Sequence, residues 1–145
     1  MGRLLFGAAM LPLTVAVRAT QGSGAPQAPG PLHQHPSIDY LERPTTEAVA
    51  RLNDALMRGA ASLHRDQGTG YLRAVLDALD VPVESQLLLL SKTGIQREYT
   101  SPRNPRALYF NEAVAVGYIT GAPSLEVAAH DPDQGVVFYT LDQAA

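Results

Sequence analysis

From Gln86 to Leu141 the apolar residues come in short runs, and the turn signals between them are too closely spaced for a helix to fit. Ala107 to Phe110 is followed almost at once by Ala113 to Ile119, then by Leu125 to Ala129 and Val136 to Leu141. Asn111-Glu112 suits a tight hairpin. Gly121 and Pro123 interrupt the next gap, and Asp131-Pro132-Asp133-Gln134-Gly135 is a strong turn signal. Parallel strands need crossover connections of a dozen residues or more, so the sheet is predicted to be a mostly antiparallel meander. Upstream, Leu87-Leu88-Leu89-Leu90 within Gln86 to Ser91 is too short for a buried helix with Gly94 close behind, and reads as a buried strand. Ser101-Pro102-Arg103-Asn104-Pro105 must be a loop, because neither proline can sit inside a ladder.

Before Gln86 the apolar period is helical. Thr45 or Thr46 can cap a helix after Pro44, with Glu47 in its first turn, and Val49, Leu52, Leu56 and Leu63 form a stripe opposite Arg51, Asp54 and Arg58. Gly59 weakens the end of this helix, and His64 to Gly68 is a polar break. Tyr71, Leu72, Val75, Leu76 and Leu79 predict a second amphipathic helix over roughly Thr69 to Leu79 that stops before Pro82. The fold class expected is α+β, with two N-terminal amphipathic helices packed as a pair on a β-meander of about four to five strands.

The first residues have the three-part layout of a secretory signal. Met1-Gly2-Arg3 is a short positive start, and Leu4 to Val17 is an apolar run of about 14 residues, shorter than the roughly 20 needed to span a bilayer. Cleavage is possible at Val17-Arg18-Ala19 or, preferred here, at Ser23-Gly24-Ala25. The predicted organisation is therefore a signal peptide over 1–25, a Pro/Gly-rich linker over 26–37 and a single domain over 38–143. No stable membrane insertion is expected after cleavage, and the destination is periplasmic or secreted. His33 and His35 in the linker lack the third ligand that a specific metal site requires.

The charges exclude further classes. Ten arginines and the single Lys92 against 14 acids give a net charge of −3, and the cations are scattered, which is not the footprint of a nucleic-acid binder. Zero cysteines remove disulfides, thiolate zinc sites, cysteine nucleophiles and covalent c-type haem. Lys92-Thr93-Gly94 spells the KTG of penicillin-interacting enzymes, yet Lys92 is the only lysine and the serine position of S-x-x-K holds Leu89. Gly68-Thr69-Gly70 is followed by Arg73 where a dinucleotide fingerprint needs glycine. His130 and Asp131, adjacent on a strand, point to opposite faces. No catalytic residue, metal site or enzymatic activity is expected.

The densest polar chemistry lies between Ser101 and Glu112. Arg103 and Arg106 flank the Pro-bounded loop, and Tyr109 and Asn111 follow. These four are the candidate partner-binding residues, since guanidinium groups on a stiff loop can fork onto a carboxylate or phosphate. The structural alternative is that one arginine pairs with Glu126, Asp131 or Asp142 and holds the loop down.

This stretch also carries a resemblance. Ser91-Lys92-Thr93, Ser101 through Glu112, Val116-Gly117-Tyr118, Leu125-Glu126-Val127, and Asp131-Pro132 through Gly135 to Phe138-Tyr139-Thr140-Leu141 resemble the N-terminal region of a family of exported bacterial cytochrome c domain-containing proteins. The likeness covers roughly Asp39 to Gln143. In that family this region precedes Cys-x-x-Cys-His haem-attachment motifs; c-type haem therefore belongs to the longer relatives, and with no Cys no haem-binding residue carries over to this chain. The resemblance implies an accessory or docking domain of an electron-transfer protein, here a fragment or truncated form without its haem module. Its partner would be a haem domain or redox partner protein. The alternative is a stand-alone periplasmic binding module.

Overall fold

The computed structural model describes residues 44–143. The signal segment, the linker with His33 and His35, and the start of the expected domain at Ile38 lie outside the described residues. Two short helices, α1 (Ala48–Met57) and α2 (Leu72–Ala78), precede five strands: β1 (Leu87–Leu89), β2 (Arg106–Phe110), β3 (Val114–Tyr118), β4 (Ser124–Asp131) and β5 (Gly135–Asp142). The strands form one antiparallel sheet in the order β1-β2-β3-β4-β5, each pairing with its neighbour in sequence.

Alternation along the strands divides the sheet into an inner and an outer face. Tyr109, Val116, Val127 and Tyr139 are paired across four strands and form the central inner row. Around them Ala107, Val114, Leu125, Ala129, Val137 and Leu141 are buried against Val49 of α1 and Leu72, Val75 and Leu76 of α2. Two carboxylate and amide side chains shape the hairpins. Asn111 Oδ1 accepts the N–H groups of Ala113 and Val114 at the β2–β3 turn, and Asp131 Oδ1 accepts those of Asp133 and Gln134 at the β4–β5 turn. Gly135, at φ 80°, supplies the left-handed residue with which that second turn re-enters the strand.

The helical half differs from the sequence expectation, and the predicted N-terminal amphipathic pair is not formed. Both helices instead contribute to one core with the sheet, α1 through Val49 and α2 through Leu72, Val75 and Leu76. α1 stops at Met57, so Leu63 lies beyond any helix, and Val49 alone of its stripe is fully buried. α2 has only 7 residues, about 10 Å of helix, too short to offer a neighbour a full stripe once its buried residues face the sheet. Capping also differs. Glu47, not a threonine, is the N-cap of α1, its carboxylate accepting the N–H groups of Val49 and Ala50. α2 ends in a Schellman turn, in which Val81 N–H bonds Leu76 O at 2.9 Å and Asp80 takes the left-handed position at φ 53° where glycine is usual.

The leucine run is the second correction. β1 is an edge strand, not a buried one, and Leu87, Leu88 and Leu90 are 50%, 58% and 59% exposed. Beyond the strands, Gln143 fastens both ends of the fold. Its N–H bonds Pro123 O, its side-chain oxygen accepts the Tyr71 N–H at the start of α2, and its carbonyl accepts from the Arg65 guanidinium.

Candidate docking site at the Pro-bounded loop

The long connection from β1 to β2 does not run free. It crosses back over the outer face, where Gln96 is buried and acts as a fastener. Gln96 Nε2 donates to Ser124 O at 2.9 Å, and its Oε1 accepts from Ser124 N and Oγ at 3.1 and 3.2 Å. Its amide also reaches Glu126, the partner of Arg106. Arg106 opens β2 on the outer face and forms an ion pair with Glu126 at 3.1 Å, the two side chains 13% and 21% exposed. A Cβ on Gly94 would fall 1.7 Å from Arg106 Nη2, so the strap passes over the guanidinium only because that residue is glycine. The ion pair is thus roofed by the strap, and Arg106 Nε is left without an acceptor.

Downstream of the strap the loop closes on itself. Ser101 and Asn104 exchange backbone hydrogen bonds at 3.0 Å, and Asn104 Nδ2 donates to Tyr99 O and Thr120 O, both at 2.9 Å. With Pro102 and Pro105 fixing two further φ angles, the loop is held from both sides. Arg103 stands exposed within it, and no hydrogen bond or ion pair engages its guanidinium among the described residues. Exposed Lys92 and Arg97 lie in the same connection, so residues 91–106 carry four cations against one acid, Glu98.

The four sequence-predicted contact residues are not brought to one surface. Arg106 faces outward into its ion pair, the structural arrangement that the nearby acids suggested. Tyr109, three residues on, faces inward, is 6% exposed, and its hydroxyl takes the Gln86 amide N–H. Asn111 sits at the far end of β2, where its Nδ2 donates to Leu79 O and Asp80 O at 3.1 Å. That pair of bonds steadies the left-handed Asp80 and joins the C-terminus of α2 to a hairpin. Arg103 alone of the four is presented to solvent with its hydrogen-bonding capacity unspent.

A second polar cluster escaped the sequence reading. Glu47, 5% exposed, accepts the Tyr139 hydroxyl while capping α1; Thr45 Oγ1 lies 3.2 Å from the same hydroxyl, and Thr46 N–H donates to Asp131 Oδ2 at 3.1 Å. Burial, reinforced by the bond to Glu47, pushes Tyr139 up to about 12. The Thr46 N–H, helped by the turn amides, outweighs burial and holds Asp131 below the usual carboxylate value. Every carboxylate oxygen in the cluster already has a donor, and the cluster reads as an anchor for α1. The signal available in sequence was weak: a Glu two residues before an apolar stripe position also suits an ordinary first turn. His130 is exposed on the outer face while Asp131 is buried on the inner one.

At the α2 end, an open depression of about 810 Å³ is bordered by Asp77, Asp80, Glu84 and Glu112. Among the described residues no group of three or more His, Cys, Asp or Glu side chains is placed to hold a metal ion, and no helix is long and apolar enough to cross a membrane. No protein-family model, curated protein or solved structure matches the chain.

Proposed function

We propose that this chain is a non-enzymatic docking domain that presents a basic, proline-clamped loop to an acidic protein surface. Its setting, on the resemblance of residues 39–143, is an exported bacterial c-type cytochrome-like electron-transfer protein. The observation that carries the reading is the division of labour in the loop: Asn104 and the two prolines fix its backbone, while Arg103 is exposed and uncommitted. A loop that is already ordered loses little entropy on binding, and a guanidinium on it can grip a rim carboxylate or haem propionate through two parallel bonds. Lys92 and Arg97 add a positive field that steers encounter, as suits the small, salt-sensitive interfaces of redox partners.

The test is an NMR titration of the labelled protein with a soluble c-type cytochrome whose haem edge is ringed by acids. At low ionic strength the shifted amides should cluster between residues 97 and 106. Raising salt to about 0.3 M, where the Debye length falls to about 5–6 Å, should weaken binding several-fold. Arg103→Ala should weaken it comparably with no change in the urea midpoint. Shifts centred elsewhere, or an unchanged affinity in Arg103→Ala, would count against the loop.

A further inference from the structure

The two edges of the sheet are built differently, and β1 is the unusual one. Strands β2, β4 and β5 alternate between buried and more exposed residues, whereas Leu87-Leu88-Leu89-Leu90 has no polar member at all. An uninterrupted apolar strand suits a position covered on both faces and paired on both sides. Here it has one partner, β2, and three of its four leucines are half exposed. Edges that stay free are usually guarded by proline, lysine or a bulge, yet between Gln86 and Leu90 there is no charge and no proline.

Charge flanks the run and has opposite sign at its two ends. Glu84 is exposed before it, near Glu112, which follows the Phe110 to which Ser85 Oγ is hydrogen-bonded. Lys92 is exposed after it, on the side of Arg106 and Arg103, since Leu89 pairs with Arg106. The edge therefore runs from an acidic end to a basic one. Glu84 and Lys92 are equally distant in sequence from Leu88, and no ion pair engages either among the described residues.

We propose that β1 is a self-association edge, on which a second copy of this chain pairs antiparallel about a two-fold axis at Leu88. This register sets Leu88 against Leu88, Leu87 against Leu89 and Leu90 against Gln86. The ladder itself ends at Gln86 and Leu90; Glu84, on the 3-10 turn Val83–Ser85 just before it, and Lys92, just after it, then lie at the same end of the seam on opposite copies, so the acidic end meets the basic end twice. Parallel pairing would set acid beside acid. An isologous contact of this kind closes at two chains and joins the two five-stranded sheets into one, with the leucines interleaved across the seam. The inference does not rest on Arg103, which lies outside the paired run, and shares only Lys92 with the basic field of that loop.

Sedimentation equilibrium of the full chain tests it. A monomer–dimer equilibrium should be measurable by about 100 µM, the range expected of a small strand-edge interface. Leu88→Lys should abolish the dimer while the circular dichroism spectrum stays native, because the position is half exposed. Glu84→Lys or Lys92→Glu should each raise the dimer dissociation constant about tenfold, and the double swap Glu84→Lys/Lys92→Glu should return it to within about threefold of the original. A strictly monomeric protein at 200 µM (about twice that range) overturns the proposal. So does a dimer that survives Leu88→Lys, or a double swap no better than the single changes. If Leu88→Lys fails to fold, the charge-swap series decides alone.

Discussion

Two polar anchors fasten non-sheet segments to opposite faces of the same sheet, and they are built on different principles. On the inner face, Glu47 and Asp131 accept mainly backbone N–H groups and one tyrosine hydroxyl, so α1 is fixed by a buried cluster whose every carboxylate oxygen is satisfied. On the outer face, Arg106 and Glu126 hold the strap through an ion pair that retains some exposure and leaves one guanidinium N–H unpaired. Fixed backbone donors cost no side-chain entropy and are not screened by salt. A long-chain ion pair costs that entropy and is partly screened. The inner anchor should thus be the stiffer and more valuable of the two.

The largest expected effect comes from breaking the inner anchor. Glu47→Ala removes the α1 cap and the acceptor of the Tyr139 hydroxyl, which keeps only Thr45, a combined loss of about 3 kcal/mol, whereas Glu47→Gln keeps an acceptor oxygen and should lose less. Urea midpoints measure both. The ranking of the anchors fails if Glu47→Ala costs no more than Arg106→Ala.

For the outer anchor, Arg106→Ala should cost about 2 kcal/mol by leaving Glu126 partly unpaired, while Arg103→Ala should stay within about 0.5 kcal/mol. Gly94→Ala sharpens the point, because its new methyl would occupy the space of the Arg106 guanidinium. Its cost should be comparable to that of Arg106→Ala and should largely vanish in the double variant. Additive losses would show that Gly94 matters for some reason other than room for the guanidinium.

The smallest effects are those of pH, and two of them fall on the inner side. Tyr139 holds its proton more tightly folded, about 12, than at its ordinary value of 10.0. Its contribution to stability is whole below pH 10 and is lost as pH rises toward 12. Asp131 is depressed below 3.8, so its contribution is whole above that value and is lost as pH falls through 3.8 and the lower folded value. A stability profile should decline at both extremes, and Tyr139→Phe should remove the alkaline decline alone. An ultraviolet titration in which all tyrosines ionise together near pH 10 would refute the tyrosine assignment.

The sheet was far more legible in the sequence than the helices. Turn residues such as Asn111, Asp131 and Gly135 act locally, through hydrogen bonds to amides two or three residues away, and so leave a readable mark. The partner of Glu47, by contrast, is 92 residues distant, and nothing near Glu47 distinguishes a cap from a first-turn acid. Val49, Leu52 and Leu56 do lie on a helix, but a stripe cannot say whether it meets a helix or a sheet. The leucine run misled in a related way. Its composition describes a strand covered on both faces, and within one chain it is not so covered. At the candidate site, the acids that compete for Arg106 were visible from sequence, but the selection of Glu126 depended on the strap geometry set by Gly94 and Gln96.

Gln143 carries a kinetic consequence. Its bonds to Arg65 and Tyr71 span 78 and 72 residues, whereas the β2–β3, β3–β4 and β4–β5 hairpins each close within a few. Contacts between distant parts of a chain form only after the intervening segment has been confined, so the hairpins should assemble first and the α2 end be latched last. A late latch restrains escape from the native state without hastening arrival at it. Gln143→Ala should accordingly raise the unfolding rate and leave the refolding rate unchanged; a slowed refolding limb would place this contact in the nucleus instead.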